Sequence, residues 1–226
     1  MRVALVPPAP GALPADACAV AIDVLRATTT LAVARGNGAA RVAPFAEPAE
    51  AVAFRDATPG TLACGEREGR IVPGFDLGNS PFEFTRERVA GKTLAFASTN
   101  GSRALLAASR CRRRWLGSFA ALSATVKALE SETNIWLVCA GKLGRFALED
   151  AACAGTIVSR LAARGAELAN AEASLARSLA CADAAEVGAV VRGCDHGRWL
   201  ASLGDAFAAD VEFCATLDGL ETAQGW

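Results

Sequence analysis

The residues of this chain best suited to chemistry stand where apolar runs stop. Ile135-Trp136-Leu137-Val138 gives way to Cys139, then Gly141, Gly144 and Arg145, and then the acidic pair Glu149-Asp150. A cysteine and an arginine with five residues between them match the spacing of a loop that wraps a phosphate. The thiolate is then the nucleophile and the guanidinium binds two oxygens. Cys139 also suits the blander role of a small buried hydrophobe, and Glu149 and Asp150 suit the first turn of any helix. Asp23 ends a second apolar run, with Arg26, Thr28 and Thr29 close behind. Glu66 follows a third run, and Thr99-Asn100-Gly101-Ser102 a fourth. The sole histidine, His196, lies in Asp195-His196-Gly197-Arg198.

Helix starts, nested backbone N–H groups and arginines hold phosphate oxygens. Carboxylates hold a hard cation such as Mg²⁺. The carboxylates Asp23, Glu66, Asp76, Glu149 and Asp150 are more than a bare phosphate site tolerates, so the pattern calls for a cation to neutralise them. Three attacking groups remain open: Cys139, Asp23 or a metal-bound water, with His196 placed to protonate the leaving alkoxide. A non-catalytic anion- or nucleotide-binding module is the alternative, and the surplus of carboxylates counts against it.

The elements that must position these residues alternate. Strands are expected at Arg2 to Val6, Cys18 to Val24, Ala40 to Pro44, Thr61 to Gly65, Thr93 to Ser98, Trp115 to Ser118 and Ile135 to Cys139. Helices are expected from Thr28 or Thr29 to Gly36, Pro48 to Asp56, Ala104 to Ser109, Leu122 to Glu130 and onward from Glu149 to Ala163. Further helices are expected at Ala169 to Ala180, Ala184 to Arg192 and Trp199 to Leu203. Pro7, Pro8, Pro10 and Pro14 forbid regular structure until about Asp16. Gly69 to Pro81 reads as an ordered loop held by Phe75, Leu77 and Phe82, and Arg110 to Arg114 as a solvated helix end. Asp210 to Ala215 is a partly apolar segment. The alternation implies an α/β fold, a mainly parallel or mixed sheet flanked by helices. Ligands in such sheets gather beyond the carboxyl ends of the strands, where the residues above converge.

With 226 residues, 52% hydrophobic and 21% charged, the chain has ample core for one large domain or two small lobes. A net charge of -1 gives no basic field for nucleic acid. No apolar run reaches the ~18 residues of a membrane span. Eight cysteines without a CxxC pair or a signal segment fit reduced thiols in a cytoplasmic protein better than a disulfide framework.

A family resemblance rests on motifs that occur in one order along nearly the whole chain. They are Asp23-Val24-Leu25-Arg26-Ala27-Thr28-Thr29-Thr30, Gly65-Glu66-Arg67, Gly74-Phe75-Asp76-Leu77-Gly78-Asn79-Ser80-Pro81 and Thr99-Asn100-Gly101-Ser102. Cys139-Ala140-Gly141, Gly144-Arg145-Phe146, Glu149-Asp150, Cys153-Ala154-Gly155, His196-Gly197 and Glu212-Phe213-Cys214 follow. Together these resemble the 2-phosphosulfolactate phosphatase (ComB) family. The resemblance implies a Mg²⁺-dependent phosphatase for phosphate esters of 2-hydroxy carboxylic acids, a coenzyme M precursor being the named substrate. It also implies a family-specific α/β fold and a homodimer. On this reading Arg26, Thr28, Asn79, Ser80, Thr99, Asn100, Gly101, Ser102, Gly141 and Arg145 bind substrate. Glu68, where the family tends to have glycine, and Asp195, in place of serine, add negative charge near the expected site.

Overall fold

In the computed structural model, residues 1–8 and 13–226 are described; the expectation for Pro10 lies outside them. The chain runs β1 (Arg2–Val6), β2 (Cys18–Ile22), α1 (Ala27–Gly36), β3 (Arg41–Pro44), α2 (Pro48–Ala57), β4 (Thr61–Arg67) and β5 (Arg70–Ile71). Next come α3 (Arg86–Val89), β6 (Thr93–Ala97), α4 (Gly101–Ala108), β7 (Arg113–Gly117), α5 (Leu122–Leu129), β8 (Asn134–Cys139) and α6 (Leu148–Ala162). The chain closes with β9 (Glu167–Leu168), α7 (Ala171–Arg177), α8 (Ala184–Gly193), α9 (Asp195–Ala201) and α10 (Asp205–Cys214).

Two sheets form rather than one. The first has the order β7-β2-β8-β1-β9 with every pair parallel. The second has the order β3-β6-β4-β5, parallel except for the β4–β5 hairpin. Side chains alternate across each sheet with period two. In β2 and β8, Val20, Ile22, Ile135 and Leu137 pack with α5, α6 and α8 on one face. Ala21 and Val138 turn the other way, toward Leu31 of α1 and Leu105 of α4. In β6, Leu94 and Phe96 join that same inner core, while Ala95 and Ala97 face Ala51 of α2. Helices α1 and α4 are therefore filling between the sheets, and their inner faces are alanine-rich because there is little room.

Several expectations need correction. The segment from Asp210 is part of helix α10, whose Val211 and Cys214 are buried. Helix α9 begins at Asp195, so His196 sits on its first turn and not in a turn before it. Arg113 and Arg114 belong to strand β7, not to a helix end, and Arg112 and Arg113 both pair with buried Glu132. The short elements β5, α3 and β9 escaped notice because two to four residues carry no periodicity. In the loop before α3, Phe75 and Leu77 are buried as expected, but Phe82 is exposed. No helix among the described residues is long and apolar enough to cross a membrane.

Candidate active site

The carboxyl ends of both sheets open onto one cavity of about 260 Å³. From the first sheet come Asp23, Leu25 and Arg26 after β2, and Lys142 and Leu143 after β8. From the second come Glu66, Glu68 and Gly69 at the β4–β5 hairpin, and Thr99 and Asn100 after β6. Asn79 and the α9 residues His196, Trp199 and Leu200 complete the wall.

Asp23 is buried, and the start of α4 is built around its carboxylate. A Cβ on Gly101 would fall 2.7 Å from Asp23 Oδ2 and 2.3 Å from the Ala27 Cβ, so only glycine admits this approach. Burial pushes the Asp23 carboxyl up to about 7; nearby His196 opposes the rise, while Glu66 and Glu149 add to it. Glu149, also buried, accepts a hydrogen bond from His196 Nδ1 at 2.9 Å. Burial alone works against its ionisation, but the hydrogen bond and charge of His196 outweigh burial and hold Glu149 below its ordinary range. With Nδ1–H directed at Glu149, the Nε2 atom is left for proton exchange.

Other expected residues hold the frame. Asp150 accepts from the backbone N–H of Val24 and of Gly141, both at 2.9 Å, and so ties the loops after β2 and β8 together. Burial first, then the charges of Asp23 and Glu149, raise its carboxyl well above the ordinary range. Glu66 accepts from Thr99 N and Gly69 N, both at 2.8 Å, linking β4, β5 and β6. Thr28 donates to Gly117 O at 2.6 Å and accepts from Asp23 N at 2.9 Å. Ser102 and Ser98 exchange hydrogen bonds with one another's N–H at the start of α4. Neither hydroxyl lines the cavity.

The structure places five expected residues differently, Ser80 among them. Asp76 lies away from the cavity, accepting from Ala63 N at 2.8 Å and pairing with Arg55 at 3.4 Å. Arg26 reaches the cavity, but its guanidinium is occupied. It donates to Asp210 Oδ2 at 2.5 Å and to Gly69 O at 2.6 Å. Ser80 donates to the other oxygen of Asp210 at 2.5 Å. Arg145 points into an adjoining basin of about 720 Å³. It shares a second depression with Cys139. Gly141 sits at φ +68°, and a Cβ there would meet Arg145 O at 2.3 Å, so the loop folds back on itself and carries Arg145 outward. Cys139 does not line the cavity. Burial and the charges of Asp150 and Glu149 keep its thiol well above the ordinary range and therefore protonated.

Sequence reasoning missed Lys142, Trp199 and Asp210. Lys142 sits inside the loop already singled out, and Trp199 stands three residues after His196 on the helix α9. Starting that helix at Asp195 would have put both rings on one side. Nothing local in the sequence marks Asp210.

Asn79 lines the cavity too, with a buried side-chain oxygen that has no hydrogen-bond donor. Among the described residues no three acidic, cysteine or histidine side chains form a ready-made metal cage. A Mg²⁺ site needs none, since that ion is commonly bound through one or two carboxylates, waters and substrate phosphate. Asp23 and Glu66 line the cavity with Glu149 close by, and their carboxyl oxygens are the kind of donors that fit such an ion.

A family model described as 2-phosphosulpholactate phosphatase matches residues 7–224. Several relatives resemble the chain over most of its length. A "probable 2-phosphosulfolactate phosphatase" of Thermotoga petrophila is 41% identical over 204 residues, covering 90% of this chain and 86% of the relative. A protein of the same name from Synechococcus sp. (strain JA-3-3Ab) is 41% identical over 215 residues, covering 93% and 88%. Another, from Carboxydothermus hydrogenoformans, is 38% identical over 207 residues, covering 91% and 84%.

Proposed function

Since the chain belongs to the 2-phosphosulfolactate phosphatase family, we propose that it is a Mg²⁺-dependent phosphoric monoester hydrolase. Its substrate is the phosphate ester of a 2-hydroxy carboxylic acid, with 2-phosphosulfolactate as the favoured member. The observation that carries this reading is the meeting, in one cavity, of the buried Asp23 carboxyl and His196, whose ring is held from the adjoining basin by a hydrogen bond to Glu149 at 2.9 Å.

The fixed charges of the wall explain the need for a cation. Arg26 is already paired with Asp210, so Lys142 alone is set against Glu66, Glu68 and, as it ionises, Asp23, which is an excess of negative charge facing an anionic ester. Asp23, with Glu66 and Glu149 beside it, would hold Mg²⁺, which when bound supplies charge stabilisation to the phosphoryl group. Asn79 offers its unpartnered side chain to the ligand or its water. His196, oriented through Nδ1 by Glu149, delivers a proton from Nε2 to the leaving alkoxide as the ester P–O bond breaks. The protonated, misplaced Cys139 thiol favours attack by water, or by Asp23, over attack by a thiolate. An anion-binding module without turnover finds no support in a wall with this charge balance.

Phosphate release from 2-phosphosulfolactate and 2-phospholactate, measured with Mg²⁺ and with EDTA, tests the reading. Release that depends on the metal is expected. Folded protein that releases no phosphate from either ester with Mg²⁺ present refutes it.

A further inference from the structure

We propose that Lys142 recognises the acid group of the substrate that is not transferred, its carboxylate or sulfonate. The inference rests on the hydrolase reading above, and four observations carry it.

The first is position. Lys142, Leu143 and His196 line both the 260 Å³ cavity and the 720 Å³ basin beside it. A group leaving the phosphate subsite toward solvent passes Lys142. The second is charge. Of the two fixed cations in the cavity wall, Arg26 is buried and committed to Asp210 and Gly69. Lys142 enters no salt bridge among the described residues.

The third is preorganisation. The Lys142 and Arg145 backbones hydrogen-bond each other at 3.0 and 2.9 Å. Leu143 N donates to Asn100 Oδ1 at 2.9 Å, and Gly141 N to Asp150 at 2.9 Å. The loop is thus pinned to both sheets. The Lys142 ammonium lies 4.4 Å from the centre of the Trp199 ring. An aromatic face holds a cation without neutralising it, so the ammonium keeps N–H donors for an anion.

The fourth is the substrate's own charge. A phosphorylated 2-hydroxy acid brings a second anion close to its phosphate. Asp23, Glu66 and Glu68 would repel that anion along their part of the wall, and Asn79, Thr99 and Asn100 offer it only uncharged groups. Leu25, Leu143 and Leu200 give it no partner.

Lys142→Gln tests the proposal, with Lys142→Arg as the charge-retaining control. Melting curves check that both variants fold. In the Gln variant, KM for 2-phosphosulfolactate and 2-phospholactate is expected to rise about tenfold to a hundredfold, the loss of a charged hydrogen bond. The kcat should stay within about threefold, because a group that binds ground state and transition state alike acts on KM. Competitive inhibition by inorganic phosphate, which reads the phosphate subsite alone, should not change. The Arg variant should recover most of the KM. Sulfolactate, the phosphate-free acid, should bind the wild type in a calorimetric titration and bind the Gln variant more weakly by the same factor. An unchanged KM, a phosphate inhibition constant that rises as much as KM, or sulfolactate binding absent from the wild type or indifferent to Lys142 overturns it. The titration needs no turnover, so absent phosphate release would sink the hydrolase reading while the titration still decides the role of Lys142.

Discussion

Replacing Asp23 with asparagine should abolish turnover and, at neutral pH and without metal, make the protein more stable. Folding lifts the Asp23 carboxyl from its ordinary 3.8 to about 7, mainly through burial and also through Glu66 and Glu149. The folded state therefore binds this proton more tightly than the unfolded state. The stabilisation is complete below about pH 4 and disappears as the pH rises toward 7. At 1.36 kcal/mol for each tenfold change in proton affinity, the whole loss is about 4 kcal/mol, and the part between pH 5 and pH 8 is about 2–3 kcal/mol. Asparagine keeps the shape and has no proton to lose. Other carboxylates titrate in both proteins, so the difference between the two reads Asp23 together with its coupling to the neighbouring Asp150. Urea denaturation in EDTA at pH 5, 6, 7 and 8, with m-values checked for equality, should show the variant gaining on the wild type by about 2–3 kcal/mol across that range. Adding Mg²⁺ at pH 8 should close part of the gap by stabilising the wild type alone. A stability difference that stays flat from pH 5 to pH 8 would refute the argument that Asp23 is a buried carboxylate under strain from its neighbours.

Two further substitutions separate the roles of groups around it. Cys139→Ser should leave kcat/KM within about threefold of the wild type, because a thiol held protonated outside the cavity does no chemistry; a loss of about 10³ or more, the scale expected for a lost nucleophile, would restore the thiolate route. His196→Asn should cut kcat by about 10²–10⁴, the usual value of a general acid. It should also destabilise the protein at pH 7 by about 3 kcal/mol, since it leaves the buried Glu149 carboxylate without its partner. The double variant Glu149→Gln/His196→Asn should regain much of the stability and none of the activity in thermal-melt and phosphate-release assays. Recovery of activity would reduce the pair to a structural contact.

The strand-end logic led to the candidate cavity because buried parallel strands announce themselves as continuous apolar runs, and the residue that ends such a run faces the rim. Asp23, Glu66, Thr99 and Asn100 were legible in that way. Two sheets in place of one were not, since the same alternation of strand and helix serves either topology and the order β7-β2-β8-β1-β9 depends on contacts far apart in the chain. The roles of Arg26 and Asp76 were not legible for a related reason. An arginine near a strand end reads as a phosphate ligand until its partner appears, and Asp210 lies 184 residues away. Asp76 sits in a motif-rich loop, yet that loop turns its carboxylate back onto β4. Helix α10 was obscured because its buried face is narrow, with only Asp210, Val211 and Cys214 fully inside.

The two hydrogen bonds of Asp150 have a consequence for how the chain tolerates change. One carboxylate clamps Val24 and Gly141, the second residues past the ends of two neighbouring strands. Everything between Gly141 and Ala147 hangs outside that clamp, with Leu143, Gly144, Arg145 and Phe146 all exposed. The loop has its own anchor, Leu143 N on Asn100, so the Asp150 clamp holds the Asp23 side without depending on it. Its length and composition can be varied while the Asp23 side of the cavity stays in register, which makes positions 142 to 146 the natural cassette in which to test selectivity.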